Sequence, residues 1–142
     1  MIVGFDHTSF TVADIGKSVD FWSKFLGFET AFVAPRSGDW PGKVTGVPGA
    51  QLMVAHLNGY GHRMEFIQYT EGAAAAPPLK PSMPGVAHVC LKVDDIEVTY
   101  LALINGGATS QGEITDVRPG CRAAYIRDPN GIIIELLELK KL

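Results

Sequence analysis

The chain has 142 residues, 46% apolar and 19% charged, which suits one compact domain or two small packed modules and excludes multidomain machinery. Twelve Lys and Arg against fifteen Asp and Glu leave a net charge of −3 and no basic run, so neither nucleic acid nor an anionic membrane is an expected partner. Cys90 and Cys121 are too few for a disulfide framework or an all-cysteine zinc site, and a chain this long buries roughly two-thirds of its unfolded surface without such staples. The opening MIVGFDHTSF has no cationic start, and no segment approaches the roughly eighteen apolar residues of a membrane span. The expectation is a soluble cytoplasmic protein.

An internal duplication organises the elements. With an offset of 81, GFDHTSFTVADI at 4–15 meets GVAHVCLKVDDI at 85–96 with five of twelve positions identical. In the first copy Phe10 and Val12 alternate, as a strand with one packed face requires. Asp14 then reads as a helix N-cap, and Ile15, Val19, Trp22 and Leu26 follow at spacings of 4, 3 and 4, one apolar stripe on a helix that Gly27 ends. Two short strands fit around 28–34 and 50–57. Between them APRSGDWPGKVTGVPGA at 34–50 is too broken by Pro and Gly for regular structure. A loop of that length is usually functional or disordered, and the bulky Trp40 in its middle favours function. An Asn58-Gly59 turn leads into the strand RMEFIQY at 63–69.

The Ala/Pro-rich stretch that follows reads as a tether, giving a first module at 1–70, a linker at 71–84 and a second module at 85–142. The second copy repeats the plan. Val89, Leu91 and Val93 alternate, Asp95 caps a helix carrying Ile96, Tyr100 and Leu103, and Gly106-Gly107 stops it. Strands fit around 109–117 and 121–127, and an Asn130-Gly131 turn leads into IIIELLEL at 132–139. The unit is βαβββ, used twice, and the fold class is α+β.

The duplication puts His7 and His88 on the first strand of each half, and Glu65 and Glu135 on the last. Glu65 lies between Met64 and Phe66, and Glu135 between Ile134 and Leu136, so both carboxylates interrupt apolar runs. A lone buried carboxylate is costly unless paired or metal-bound. A single such His or Glu is more often a satisfied structural group than a ligand; four at equivalent positions of a repeat point to a shared cause, one divalent ion such as Zn, Ni, Co, Fe or Mn.

The segments FDHTSFTVADIGKSVDFWSKFLGF at 5–28, RMEFIQY at 63–69, GVAHVCLKVDDI at 85–96 and RDPNGIIIELLE at 127–138 resemble the glyoxalase, bleomycin-resistance and extradiol-dioxygenase superfamily, the vicinal oxygen chelate proteins, over nearly the whole chain. The resemblance implies paired βαβββ modules forming an open, barrel-like mixed sheet around a metal cavity, with helices outside. It carries His7, Glu65, His88 and Glu135 onto the metal positions of the glyoxalase I, or lactoylglutathione lyase-like, branch. Fosfomycin-resistance transferases lack a first-half glutamate such as Glu65, bleomycin-binding members have generally lost the ligands, and methylmalonyl-CoA epimerases usually have glutamine at that position. In such a site the metal accepts two neighbouring substrate oxygens and stabilises an enediolate while a carboxylate removes the proton from the adjacent carbon. The resemblance favours Glu135 as that base, with Glu65 the alternative.

The function implied is therefore a metal-dependent lyase or isomerase acting on a small molecule, such as a glutathione adduct or an acyl-CoA. The alternatives are a binding protein of the antibiotic-resistance type and a dioxygenase. Many relatives are homodimers, some exchanging modules between chains. If His7 and His88 point into a cavity, so do Ser9, Thr11, Cys90 and Lys92. Cys90 and Cys121 read as packing residues rather than nucleophiles, and His56 and His62 as solvated or singly hydrogen-bonded histidines. Arg118, Arg122 and Arg127 fit an acidic substrate group or plain surface charge equally well.

Overall fold

A computed structural model describes residues 1–75 and 77–140. The chain divides into two compact units, Met1–Ala75 and Ala76–Leu142. In the first, β1 (Thr8–Thr11), α1 (Ile15–Phe25), β2 (Glu29–Arg36), α2 (Trp40–Thr45), β3 (Gln51–Gly59) and β4 (His62–Glu71) follow in order. They give a sheet ordered β1-β4-β3-β2, with β1 parallel to β4 and the other pairs antiparallel. The second contains β5 (His88–Val93), α3 (Ile96–Asn105), β6 (Thr109–Ser110), β7 (Thr115–Arg118), β8 (Cys121–Arg127) and β9 (Ile133–Leu139). Its order is β5-β9-β8-β6 with β7 also pairing β8, and again the first strand runs parallel to the last. The fold is α+β, with one mixed sheet per unit. Among the described residues no helix is long and apolar enough to cross a membrane.

Both long helices start where the sequence places them. The Asp14 carboxylate accepts from the Lys17 N–H, and that of Asp95 from the N–H groups of Glu97 and Val98, satisfying donors that the first turn leaves unpaired. A second tie fixes each helix to the last strand of its own sheet. The Ile15 N–H donates to Gln68 Oε1 at 2.9 Å, and the equivalent Ile96 N–H to Glu138 Oε2 at 3.4 Å. Ile15, Ser18, Phe21 and Trp22 are buried along α1, so Phe21 rather than Val19 completes the packed stripe. Trp22 is fully buried and meets Phe28 and Phe66 edge-on, with centroids 5.1 and 5.3 Å away.

Three local expectations are corrected. The 34–50 segment is not wholly irregular: β2 runs to Arg36 and α2 occupies Trp40–Thr45. Pro41 sits in the first turn of α2, where its missing N–H has no intrahelical partner to lose, and Gly46 ends the helix at φ 72°. The first hairpin turns at Tyr60-Gly61, with φ 54° and 77°, and not at Asn58-Gly59. Tyr60 tolerates this conformation because its hydroxyl donates to the Leu26 carbonyl at 2.9 Å, closing the end of α1. The expected strand at 109–117 is two short strands, β6 and β7, because Gln111 and Gly112 both donate to the Tyr125 carbonyl between them.

Two stability tests follow from this packing. Trp22→Ala should cost about 3–5 kcal/mol in urea unfolding, the usual range for emptying a buried aromatic site. Lys140 Nζ pairs with Glu138 Oε1 at 2.7 Å, and, against the opposing effect of burial, this contact together with the Ile96 N–H and the charges of Lys140 and Arg122 holds the Glu138 carboxyl below the ordinary 4.5. A depressed folded pKa stabilises the protein above that value and loses the contribution as pH falls through the folded one. The stability gap between wild type and Glu138→Gln should therefore be largest near neutral pH and shrink in acid.

Candidate functional site

Strand alternation decides where the site glutamates point. In β4, Met64 and Phe66 are buried, with Phe66 packed on Trp22 of α1, so Glu65 between them faces the opposite side of the sheet. Ser9 on β1 and His56 on β3 lie directly across from Glu65, and His7 stands just before β1. His56 Nε2 is 2.8 Å from Glu65 Oε2, and His7 Nε2 is 3.3 Å from Oε1. Burial alone would raise the Glu65 carboxyl. Hydrogen bonds from His56 and Ser9, with the charges of both histidines, more than offset it and hold the group below its ordinary range. On its other side, His7 Nδ1 lies 2.7 Å from Asp6 Oδ2, and Arg63 donates to both oxygens of Asp6. The His7 hydrogen bond is the main cause of a lowered Asp6 pKa, opposed by burial and reinforced by Arg63.

The second unit repeats the layout with different partners. Glu135 lies between buried Ile134 and Leu136, and Cys90 of β5 and Tyr125 of β8 are directly across from it. His88 Nε2 is 3.1 Å from Glu135 Oε2 and 3.3 Å from the Tyr125 hydroxyl, and the His88 and Tyr125 rings lie tilted at 44° with centroids 4.9 Å apart. Burial, then the charge of Glu135, pushes the Cys90 thiol up. The same two causes raise the Tyr125 phenol.

The structure thus joins the four sequence candidates as two pairs, His7 with Glu65 and His88 with Glu135. It adds His56 and Tyr125, which occupy equivalent positions across from the two glutamates. Tyr125 was not singled out in the sequence, although a residue opposite Glu135 follows once β8 and β9 are in register. Ser9 and Cys90 do share the glutamates' face and interact with them. Thr11 and Lys92 are exposed, Cys121 is buried and His62 is exposed at the start of β4. Arg122 pairs with Glu97 at 2.7 Å and approaches Asp116 and Glu138. Arg127 donates to Gln111 and to the carbonyls of Leu79 and Gly131. Both arginines therefore brace their own unit. Arg118 lies exposed on β7.

Comparison with known proteins follows the same lines. The sequence model of the Glyoxalase/Bleomycin resistance protein/Dioxygenase superfamily matches residues 4–136. A probable lactoylglutathione lyase from Vibrio cholerae is 28% identical over 138 residues, covering 95% of this chain and 90% of that protein. A 2-epi-5-epi-valiolone epimerase from Actinomyces sp. is 29% identical over 152 residues, covering 96% of this chain and 80% of that protein. The crystal structure of a glyoxalase family protein from Bacillus cereus superimposes with a TM-score of 0.88 at 26% identity, covering 99% of this chain and 97% of that one.

The Cys90 environment is directly testable. In metal-free protein its thiol should react with a disulfide reagent more slowly than a solvated cysteine near pH 8. Glu135→Gln, which removes the neighbouring charge, should speed the reaction severalfold, with burial keeping it slower than for a solvated cysteine.

Proposed function

The chain belongs to the Glyoxalase/Bleomycin resistance protein/Dioxygenase superfamily, and on that footing we propose that it is a metal-dependent lyase or isomerase that removes a proton next to a carbonyl. The substrate class is a small molecule such as a glutathione hemithioacetal or an acyl-CoA. The relatives named as a lyase and an epimerase support this range of chemistry.

The observation that carries the reading is the repeated His–Glu pair on the open side of each sheet. Its donors fit a divalent cation. Asp6 takes the Nδ1 side of His7, and its Nε2 lies 3.3 Å from Glu65 Oε1, so the imidazole stands between two carboxylates and its Nε2 edge faces Glu65 across a proton or a metal ion. A carboxylate on the far nitrogen is also the usual way to orient a ligating imidazole. His7, Glu65, His88 and Glu135 would hold the ion, and nitrogen with carboxylate oxygen suits Zn, Ni, Co, Fe or Mn. When bound, the ion supplies electrophilic polarisation of the substrate carbonyl.

The two glutamates have unequal freedom, which supports Glu135 as the base. Glu65 is engaged at both oxygens by two histidines and also by Ser9. Glu135 meets a single histidine, through Oε2, and the Cys90 thiol, with no second imidazole. A base must swing within hydrogen-bond reach of the substrate proton, and the less restrained carboxylate does so at lower cost. Cys90 beside it keeps its proton, leaving the carboxylate as the proton acceptor at that position.

Protein purified without chelator should carry about one divalent ion per chain, the stoichiometry of a single site. Glu135→Gln should lower hemithioacetal isomerisation, or exchange of the acyl-CoA α-proton, by about 10²–10⁴-fold, the usual worth of a positioned base. His88→Ala should lose activity as well. Full metal content and full activity in both variants would refute the assignment.

A further inference from the structure

The proposed function draws two donors from each unit and leaves His56 unused. His56 is no bystander to Glu65. It sits directly across the β3–β4 ladder, half-buried, with Nε2 2.8 Å from Oε2, while His7 Nε2 stands at 3.3 Å from Oε1. The two imidazole centroids are 5.5 Å apart, and one donor atom from each of His7, His56 and Glu65 lies within 4.8 Å of the other two. The His56 ring is held by Phe32 at a centroid distance of 4.5 Å, and Phe32 is in turn covered by the Arg36 guanidinium at 5.2 Å. A ring packed in this way presents its nitrogen without a large entropy cost. In the second unit the equivalent position holds Tyr125 in place of an imidazole.

We propose that His56 is a metal ligand, and that His7, His56 and Glu65 form a three-donor site for a borderline divalent cation complete within the first unit. Two imidazoles and one carboxylate are a sufficient protein set for such an ion, with water or substrate oxygens completing the sphere. The inference rests on the proposed function in that the ion is the same one. It differs in what it requires: metal stays bound when the second unit's ligands are removed, and His56 contributes a bond rather than only a hydrogen bond to Glu65.

The test uses the full chain, stripped with chelator and titrated with Co²⁺ while visible absorption and elemental analysis are read, with Zn²⁺ competition for affinity. The doubly substituted H88A/E135Q protein should still bind one Co²⁺ per chain. His56→Ala should weaken binding by at least tenfold in that background and in wild type. His56→Gln keeps an N–H for Glu65 but offers the ion no imidazole, so it should weaken binding equally and lose intensity in the cobalt spectrum. Wild-type affinity in His56→Gln would overturn the inference by reducing His56 to a hydrogen-bond donor. Loss of all metal from H88A/E135Q, with wild type still binding, would overturn it while leaving the four-ligand reading intact. Identical affinity in wild type and H88A/E135Q, with loss on His56→Gln, would uphold it and refute the four-ligand reading.

Discussion

Everything at the candidate site depends on one constraint, the parallel pairing of the first strand of each unit with the last. That pairing sets Ser9 against Glu65 and Cys90 against Glu135, residues far apart in sequence, and brings a histidine two positions earlier onto each carboxylate. Side chains alternate along a strand, so a slip of one residue would turn Glu65 into the face that Trp22 and Phe66 fill. A buried carboxylate there would have no partner, whereas on the open face it has three. The hydrophobic contact and the polar site thus specify the same register from opposite sides of the sheet.

The helices reinforce that register. Gln68 lies three residues after Glu65, and Glu138 three after Glu135. Each returns to the helix face and accepts the first N–H of the helix that follows the opposite parallel strand. Helix start, strand pairing and glutamate orientation are therefore linked within each unit by a single polar contact. In the second unit that contact belongs to a larger network, because Arg122 and Lys140 also approach Glu138.

Duplication gave two copies of one scaffold, and divergence made their polar ends unequal. The first presents two imidazoles and a hydroxyl to its glutamate; the second presents one imidazole, a thiol and a phenol. Hydrogen bonds from His56 and Ser9 help hold the Glu65 carboxyl below its ordinary range against burial, while burial and the charge of Glu135 push the thiol and phenol beside it up. The same backbone plan thereby yields one restrained carboxylate and one with more freedom, a useful division where one group anchors and another moves a proton.

The sequence by itself determined the duplication, the βαβββ order, both helix starts and the His7, Glu65, His88 and Glu135 candidates, because repeat identity, N-caps and alternation are local signals. It could not determine the partners of those residues. The reason is clearest at His56. A turn at Asn58-Gly59 would pair His56 with Gly61, whereas the actual turn at Tyr60-Gly61 pairs it with Glu65. Asn-Gly is the stronger local turn signal, but the chain turns two residues later, where Tyr60 can close the end of α1 through Leu26 and Gly59 can lie against the Phe28 ring without a Cβ. That choice is made by packing between elements distant in sequence, and so the third histidine, like Tyr125 opposite Glu135, becomes visible only in the folded chain.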